Sequence, residues 1–423
     1  MFFNVVLPML LILIVLVGIN APIYAALLGA TLFLQVFVNN MPLSSMIPAL
    51  FESLTKTSLL AVPFFVFAGT IMANTSLGHR LINVFAVTMS RFKAGLAIAT
   101  LFSNAVFGAI SGSAPAATAT FGKIAHGPVS KQYNEKVSAG IITSSGALST
   151  IIPPSIMIII FAIATETSVT DMFLAGFLPG VLIVLIVGIY LVFKCRKMDI
   201  TVKKASRGEV RKALIESIPV LVIPVIVLGG IYGGLFTPTE AGAVSAAYSL
   251  IVGVFVLKDI NRKNFFPILK ESAKITSQIF ILVAVSTVFA QAATVAQFHT
   301  ALMSLFSGLS ATQFLIILNI LLLIVGCFFE GGSAILILAP LLAPVGLMLG
   351  IDINHLGIVF VVNLSIGMFT PPFGMNIFVS QSVLKQNMGM ISRSVVPYIV
   401  CYIIALLFIT FVPQISLLLP SLL

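Results

Sequence analysis

Two short runs of this chain combine residues that could hold an ion. IIPPSIM, residues 151–157, and FTPPFGM, residues 369–375, each set a proline pair inside an apolar segment: Pro153 with Pro154, and Pro371 with Pro372. Proline lacks a backbone N–H and clashes with the carbonyl four residues earlier, so each pair breaks its helix and leaves carbonyls without intrahelical partners. In hydrocarbon such groups are costly unless something satisfies them. A sodium ion can do so, because carbonyl and hydroxyl oxygens suit it and the negative end of a half-helix points at it. Upstream of the breaks the chain reads SGSA at 111–114 and GGSA at 331–334, with 40 positions from Ser113 to Pro153 and 38 from Ser333 to Pro371. Glycine and serine at such tips let two backbones approach closely and add oxygen ligands, or N–H donors for an anion. A single proline break is commonly only a kink, and small residues often mean only tight helix packing. Two matching tip-and-break units favour binding sites.

The elements that must position these runs follow from composition. Of 423 residues, 59% are apolar and 8% charged, and the mean hydropathy is +1.19. A soluble domain carries about 25% charged residues, so this is an all-α polytopic membrane protein. Runs 3–19, 22–39, 173–193, 218–236, 240–257, 312–329 and 396–412 approach or exceed the roughly 20 residues that span a hydrocarbon core. With shorter and broken segments, the sequence predicts ten to fourteen embedded helices. The first run lacks a basic n-region and a cleavage site and reads as a retained helix. The net charge of +10 sits in short loops, where it sets topology and does not point to nucleic acid.

The loop 194–212 holds eight Lys or Arg and is expected on the cytoplasmic side. Counting from it, segment 94–122, flanked by Arg91, Lys93, Lys123 and Lys131, is too short for two spans and reads as a hairpin re-entering from the cytoplasm. Segment 312–348 has no basic flank and reads as a second hairpin on the outer face. The broken segment 137–165 then runs outward and its counterpart 356–384 inward. The two units are inverted, the architecture of secondary transporters whose discontinuous helices meet near the midplane.

Cys195, Cys327 and Cys401 are scattered, His79, His126, His299 and His355 are isolated, and no G-x-x-x-x-G-K, H-E-x-x-H or G-x-S-x-G run occurs. Transition-metal, nucleotide and enzyme readings are set aside. Glu330, beside the second tip, is an acid at membrane depth and so a candidate for a cation or coupling role, unless it lies in water at the hairpin mouth. Glu240, in TPTEAGA, reads as a helix cap. Residues 39–58 are too polar to span and read as an interfacial arm, with 266–275 as a weaker counterpart; either could instead be a surface loop.

FSNAVFGAISGSAPAATATFG, STIIPPSIMIIIFA, GGLFTPTEAGA and NLSIGMFTPPFGMNIF resemble the large membrane subunit of tripartite ATP-independent periplasmic (TRAP) transporters, over essentially the whole chain. The resemblance implies a sodium-driven importer of carboxylates or sialic acids in the bacterial inner membrane. It implies a small four-helix membrane partner, a periplasmic substrate-binding protein, and an elevator motion of hairpins and broken helices against a scaffold. Carried onto this sequence, one sodium site lies among Ser103, Ser111, Gly112, Ser145 and Ser149, and a second among Gly331, Gly332, Gly367, Phe369 and Thr370. The substrate lies near Ser113, Ser155, Ser333 and Asn376. Scaffold would occupy 1–93 and 173–311, the transport domain 94–172 and 312–388, and a last helix 389–423. A stand-alone carboxylate/sodium symporter with similar hairpins is the alternative.

Overall fold

The computed structural model describes residues 7–19, 21–202, 204–298 and 308–422. His299, Lys203 of the basic loop and the first residues of the opening run lie outside them. The described regular elements are all helical. Among the described residues, seven helices are long and apolar enough to cross a membrane: Val169–Arg196, Arg207–Tyr232, Pro238–Val256, Arg262–Val295, Ala311–Phe328, Gly331–Met348 and Met388–Phe411. The bent pair Leu43–Thr55 and Thr57–Ala73, turned by 54°, can make an eighth. Large apolar side chains cover much of the exterior, including Val225 (70% exposed), Phe255 (73%) and Phe193 (63%). A surface of that kind fits lipid and not water, and the chain is a multi-pass membrane protein.

Both proline runs interrupt helices as their chemistry requires. In the first, Glu135–Ser145 passes into a 3-10 turn Gly146–Thr150, unwinds through the prolines and resumes as Ile156–Thr165. In the second, Ile353–Gly367 stops before the prolines and resumes as Met375–Leu384. Each break follows a helical hairpin. Gly95–Ser111 turns back through Gly112, left-handed at φ 59°, a conformation open to glycine without steric cost, and continues as Ala114–Gln132. Its return leg runs ten residues beyond the predicted 94–122. The hydroxyl of Tyr133 donates to Lys93 O at 2.9 Å, and Lys93 Nζ donates to Met198 O at 3.2 Å. The two ends of this hairpin therefore meet beside the basic loop.

The second hairpin, Ala311–Phe328 with Gly331–Met348, ends on the opposite face, where Leu347 shares a cavity with Lys56, Glu166 and Thr294. The mouths of the two hairpins lie near opposite ends of the helix Val169–Arg196, which starts three residues after Glu166 and finishes in the basic loop. Both suspected arms are helical. Met46–Thr55 is a separate short helix, whereas residues 266–275 belong to one 34-residue helix, Arg262–Val295. Only the first is set off by a bend, because Lys56 between its helix and the next has extended dihedrals.

Candidate ion and anion site

The two tips converge on the N-terminus of Ile156–Thr165. A Cβ on Gly112 would lie 2.8 Å from Ile156 Cγ1, and one on Gly331 would lie 2.5 Å from Met157 Cε. A larger residue at Gly112, whose Cβ would also lie 3.0 Å from Ile156 N, would push that tip off this helix, whereas at Gly331 the flexible end of Met157 can shift. The legs approach the breaks just as closely. A Cβ on Gly108 would sit 2.4 Å from Ser149 Cα, and one on Gly367 2.4 Å from Gly326 Cα. Gly108 and Gly326 were not singled out from sequence; their signal is a small residue about one turn before each tip.

The broken helices also bind each other. Thr150 and Ser365 share a hydrogen bond at 2.7 Å, as do Thr143 and Ser380. Asn376 Nδ2 donates to Thr143 O at 3.3 Å. Polar side chains from each half thus satisfy the other in the dry interior.

Ser111, Ser145 and Ser149 are buried, and their hydroxyl oxygens have no hydrogen-bond partner. Two further buried oxygens in the same unit are unpartnered, Asn104 Oδ1 and Thr118 Oγ1, and a Cβ on Gly146 would fall 2.0 Å from Thr118 Oγ1. Buried polar atoms normally find partners, and a cluster of orphaned oxygens demands an explanation such as an ion. Ser103 stands apart, its hydroxyl 3.4 Å from Leu81 O on a neighbouring helix.

In the second unit the hydroxyls are engaged. Thr370 Oγ1 donates to Ile366 O at 2.7 Å and Ser333 Oγ to Glu330 Oε2 at 3.0 Å. Phe369 is buried with its ring edge-on to Tyr402, the centroids 4.9 Å apart. Glu330 caps Gly331–Met348, accepting from Gly332 N at 3.0 Å and Ser333 N at 2.8 Å. A carboxylate there complements the helix dipole. Glu240 forms a capping box with Thr237, the structural role expected of it.

Ser113 and Ser333 line one cavity of about 570 Å³, with Gly112, Thr150, Glu330 and Glu271 among its walls. That volume suits a small organic ligand. Ser155 and Asn376 are fully buried outside its lining; Ser155 caps Ile156–Thr165 and donates to Thr150 O. Among the described residues no Lys, Arg or His lines the cavity, and Glu271 and Glu330 are its two ionisable carboxylates.

Comparisons with known proteins cover nearly the whole chain, breaks, tips and cavity walls included. Residues 10–415 fit the family described as "Tripartite ATP-independent periplasmic transporter, DctM component". The chain belongs to this family. It is 40% identical over 380 residues, 88% of each chain, to the C4-dicarboxylate TRAP transporter large permease protein DctM of Pseudomonas aeruginosa. It is 32% identical over 405 residues, 95% of each chain, to the sialic acid TRAP transporter large permease protein SiaM of Vibrio cholerae. Among solved structures, the YdaH transporter of Alcanivorax borkumensis matches with a TM-score of 0.55 at 14% identity, covering 90% of this chain and 88% of that one. That likeness concerns the fold alone. As a DctM-family permease the chain is a transport component, and the converging tips are its candidate site.

Proposed function

We propose that this DctM-family permease imports an organic anion across the bacterial inner membrane together with sodium, by an elevator displacement of its two hairpins and broken helices. The observation that carries the reading is the group of unpartnered buried oxygens, Ser111, Ser145, Ser149, Asn104 and Thr118, around the first break. Neutral hydroxyl and amide oxygens suit sodium. The cavity supplies the second half of the argument: a carboxylate entering between Ser113 and Ser333 meets two acids and no base. A nearby cation offsets that repulsion, so anion binding without sodium is disfavoured and the two are coupled. Helix N-termini at Ser113 and Ser155 add N–H donors. The chain's own residues hold the cation, orient the anion and exclude water. Carboxylates are the favoured class, because relatives are named for C4-dicarboxylates and sialic acid.

A periplasmic binding protein and a small membrane subunit complete the proposed system, and the hairpins are proposed to re-enter the bilayer. Proteoliposomes holding this chain with both partners should accumulate substrate only under an inward sodium gradient. Uptake that follows a proton gradient and ignores sodium would overturn the reading. Uptake by the chain alone would mark a stand-alone carboxylate/sodium symporter.

A further inference from the structure

Lys56 Nζ lies 2.9 Å from Glu166 Oε1, joining residues 110 positions apart. Lys56 follows the arm helix Met46–Thr55, and Glu166 ends Ile156–Thr165, the outer piece of the first broken helix. Glu166 adopts the left-handed conformation, φ 56° and ψ 35°, where glycine or asparagine is usual at a helix end. The backbone gives no reason for a glutamate, and its side chain contacts the arm.

The opposite face holds the same two elements, a broken-helix end and an arm, with a lysine at the helix end. Lys56 itself corresponds to Ile275, and the acid on the second arm is Glu271, the counterpart of Glu52, which lines one cavity with Lys56 and Glu166. Met375–Leu384, ten residues long like Ile156–Thr165, ends at Lys385 with φ 54° and ψ 35°. Glu166 and Lys385 are 219 positions apart, and so are Pro48 and Pro267, Leu50 and Leu269, Glu52 and Glu271, and Ser53 and Ser272. The arm sequence thus recurs in register at the start of Arg262–Val295, with Glu271 on the face that carries the basic loop. The π-helical turns Leu34–Val38 and Val252–Val256, and the left-handed residues Asn40 and Lys258 after them, repeat at 218 positions. Glu271 and Lys385 do not pair in this structure. Glu271 accepts from Asn74 Nδ2 at 3.4 Å and lines the tip cavity, while Lys385 is exposed, with no ion pair among the described residues.

We propose that Lys56–Glu166 and Lys385–Glu271 are alternating ion-pair latches: the first holds the conformation seen here, and the second forms when the broken helices move to the opposite position. The proposal rests on the elevator reading above. When two inverted halves exchange conformations, the elements that touch in one half come together in the other, and there the arm offers Glu271, one turn before Ile275, to Lys385. An exposed pair biases such an equilibrium by about fivefold at most. The latches therefore set populations without locking either state.

The test uses the complete complex in proteoliposomes with Cys195, Cys327 and Cys401 replaced. Glu271→Cys with Lys385→Cys should be bridged by mercuric ion in a fraction of molecules, and adding Glu166→Gln should raise that bridging rate about two- to fivefold. Lys56→Cys with Glu166→Cys, bridged directly, is the folding control. Ala116→Cys, on the cavity wall, is labelled with an impermeant thiol reagent from each side in turn. Labelling from both sides with no 271–385 bridging overturns the latches and leaves the elevator standing. Labelling from one side only overturns the elevator reading, and the latches with it.

Discussion

The two halves share a backbone device and differ in what it leaves unsatisfied. In the first half Pro153 and Pro154 are buried, and the surrounding Ser111, Ser145 and Ser149 hydroxyls lack partners. In the second, Pro372 and Phe373 are exposed, Phe373 by 53%, and Thr370, Ser333 and Ser365 all donate to protein oxygens. Burial keeps water from the first break, so its oxygens must find another partner. The second break is exposed at its edge and has internal acceptors for its hydroxyls. Among the described residues, one repeated motif thus leaves buried hydroxyls unpartnered in the first half, and in the second leaves only the amide oxygens of Asn363 and Asn376 without partners near the break.

The largest expected effect tests what the halves share. Gly108→Val and Gly367→Val each force a side chain into backbone 2.4 Å away, an overpacking cost of about 1–3 kcal/mol or more. Uptake should fall at least about tenfold in both, since a ~1 Å displacement at a binding constellation costs that much. A normal rate in either would break the equivalence of the two approaches.

The next prediction separates the halves. Ser149→Ala should raise the half-saturating sodium concentration about tenfold, the loss of one ligand worth ~1.4 kcal/mol. Thr370→Ala should raise it less than about threefold, because its hydroxyl is already held by Ile366 O. Sodium titration of uptake or of thermal stability reads both, and equal shifts would erase the contrast.

Glu330→Ala should destabilise by ~1 kcal/mol through the lost cap, lowering Tm by a few degrees while sodium dependence persists. Loss of sodium dependence would make Glu330 a ligand and bring the second half closer to the first. The smallest effect is electrostatic. The Lys56 ammonium, hydrogen-bonded to Glu166, holds that carboxyl below the usual range. Its folded pKa lies beneath its unfolded one, so the pair's contribution is present above about pH 4.3 and is lost as pH falls through the folded value. With Glu166 exposed, that contribution is small. Acid titration of stability should show a shallow step below pH ~4 that Glu166→Gln removes.

Much of this architecture was legible because proline and glycine act locally. The proline pairs placed both breaks, and the segment 312–348 matched the second hairpin closely. The return leg of the first hairpin was read short because Lys123 and Lys131 suggested an end at 122, whereas the helix runs to Gln132. Of the proposed ligands, Ser111, Ser145 and Ser149 share the first unit's unpartnered oxygens, while Ser103 faces Leu81. Asn104 and Thr118 were missed, since a lone polar residue in an apolar helix shows no direction until its neighbours are placed. The matched spacing paired each tip with its break, and the resemblance supplied the individual ligands, for which no local signal exists.

The chain's own order of residues determined where the helices stop and which small residues form the tips, because these depend on backbone donors and steric limits within a few residues. Tertiary structure alone decided which hydroxyls remain without partners, that both tips meet at Ile156 and Met157, and that Glu330 faces its own helix. Those outcomes depend on contacts between segments far apart in sequence, where a hydrogen bond is made or withheld according to which surfaces are buried together.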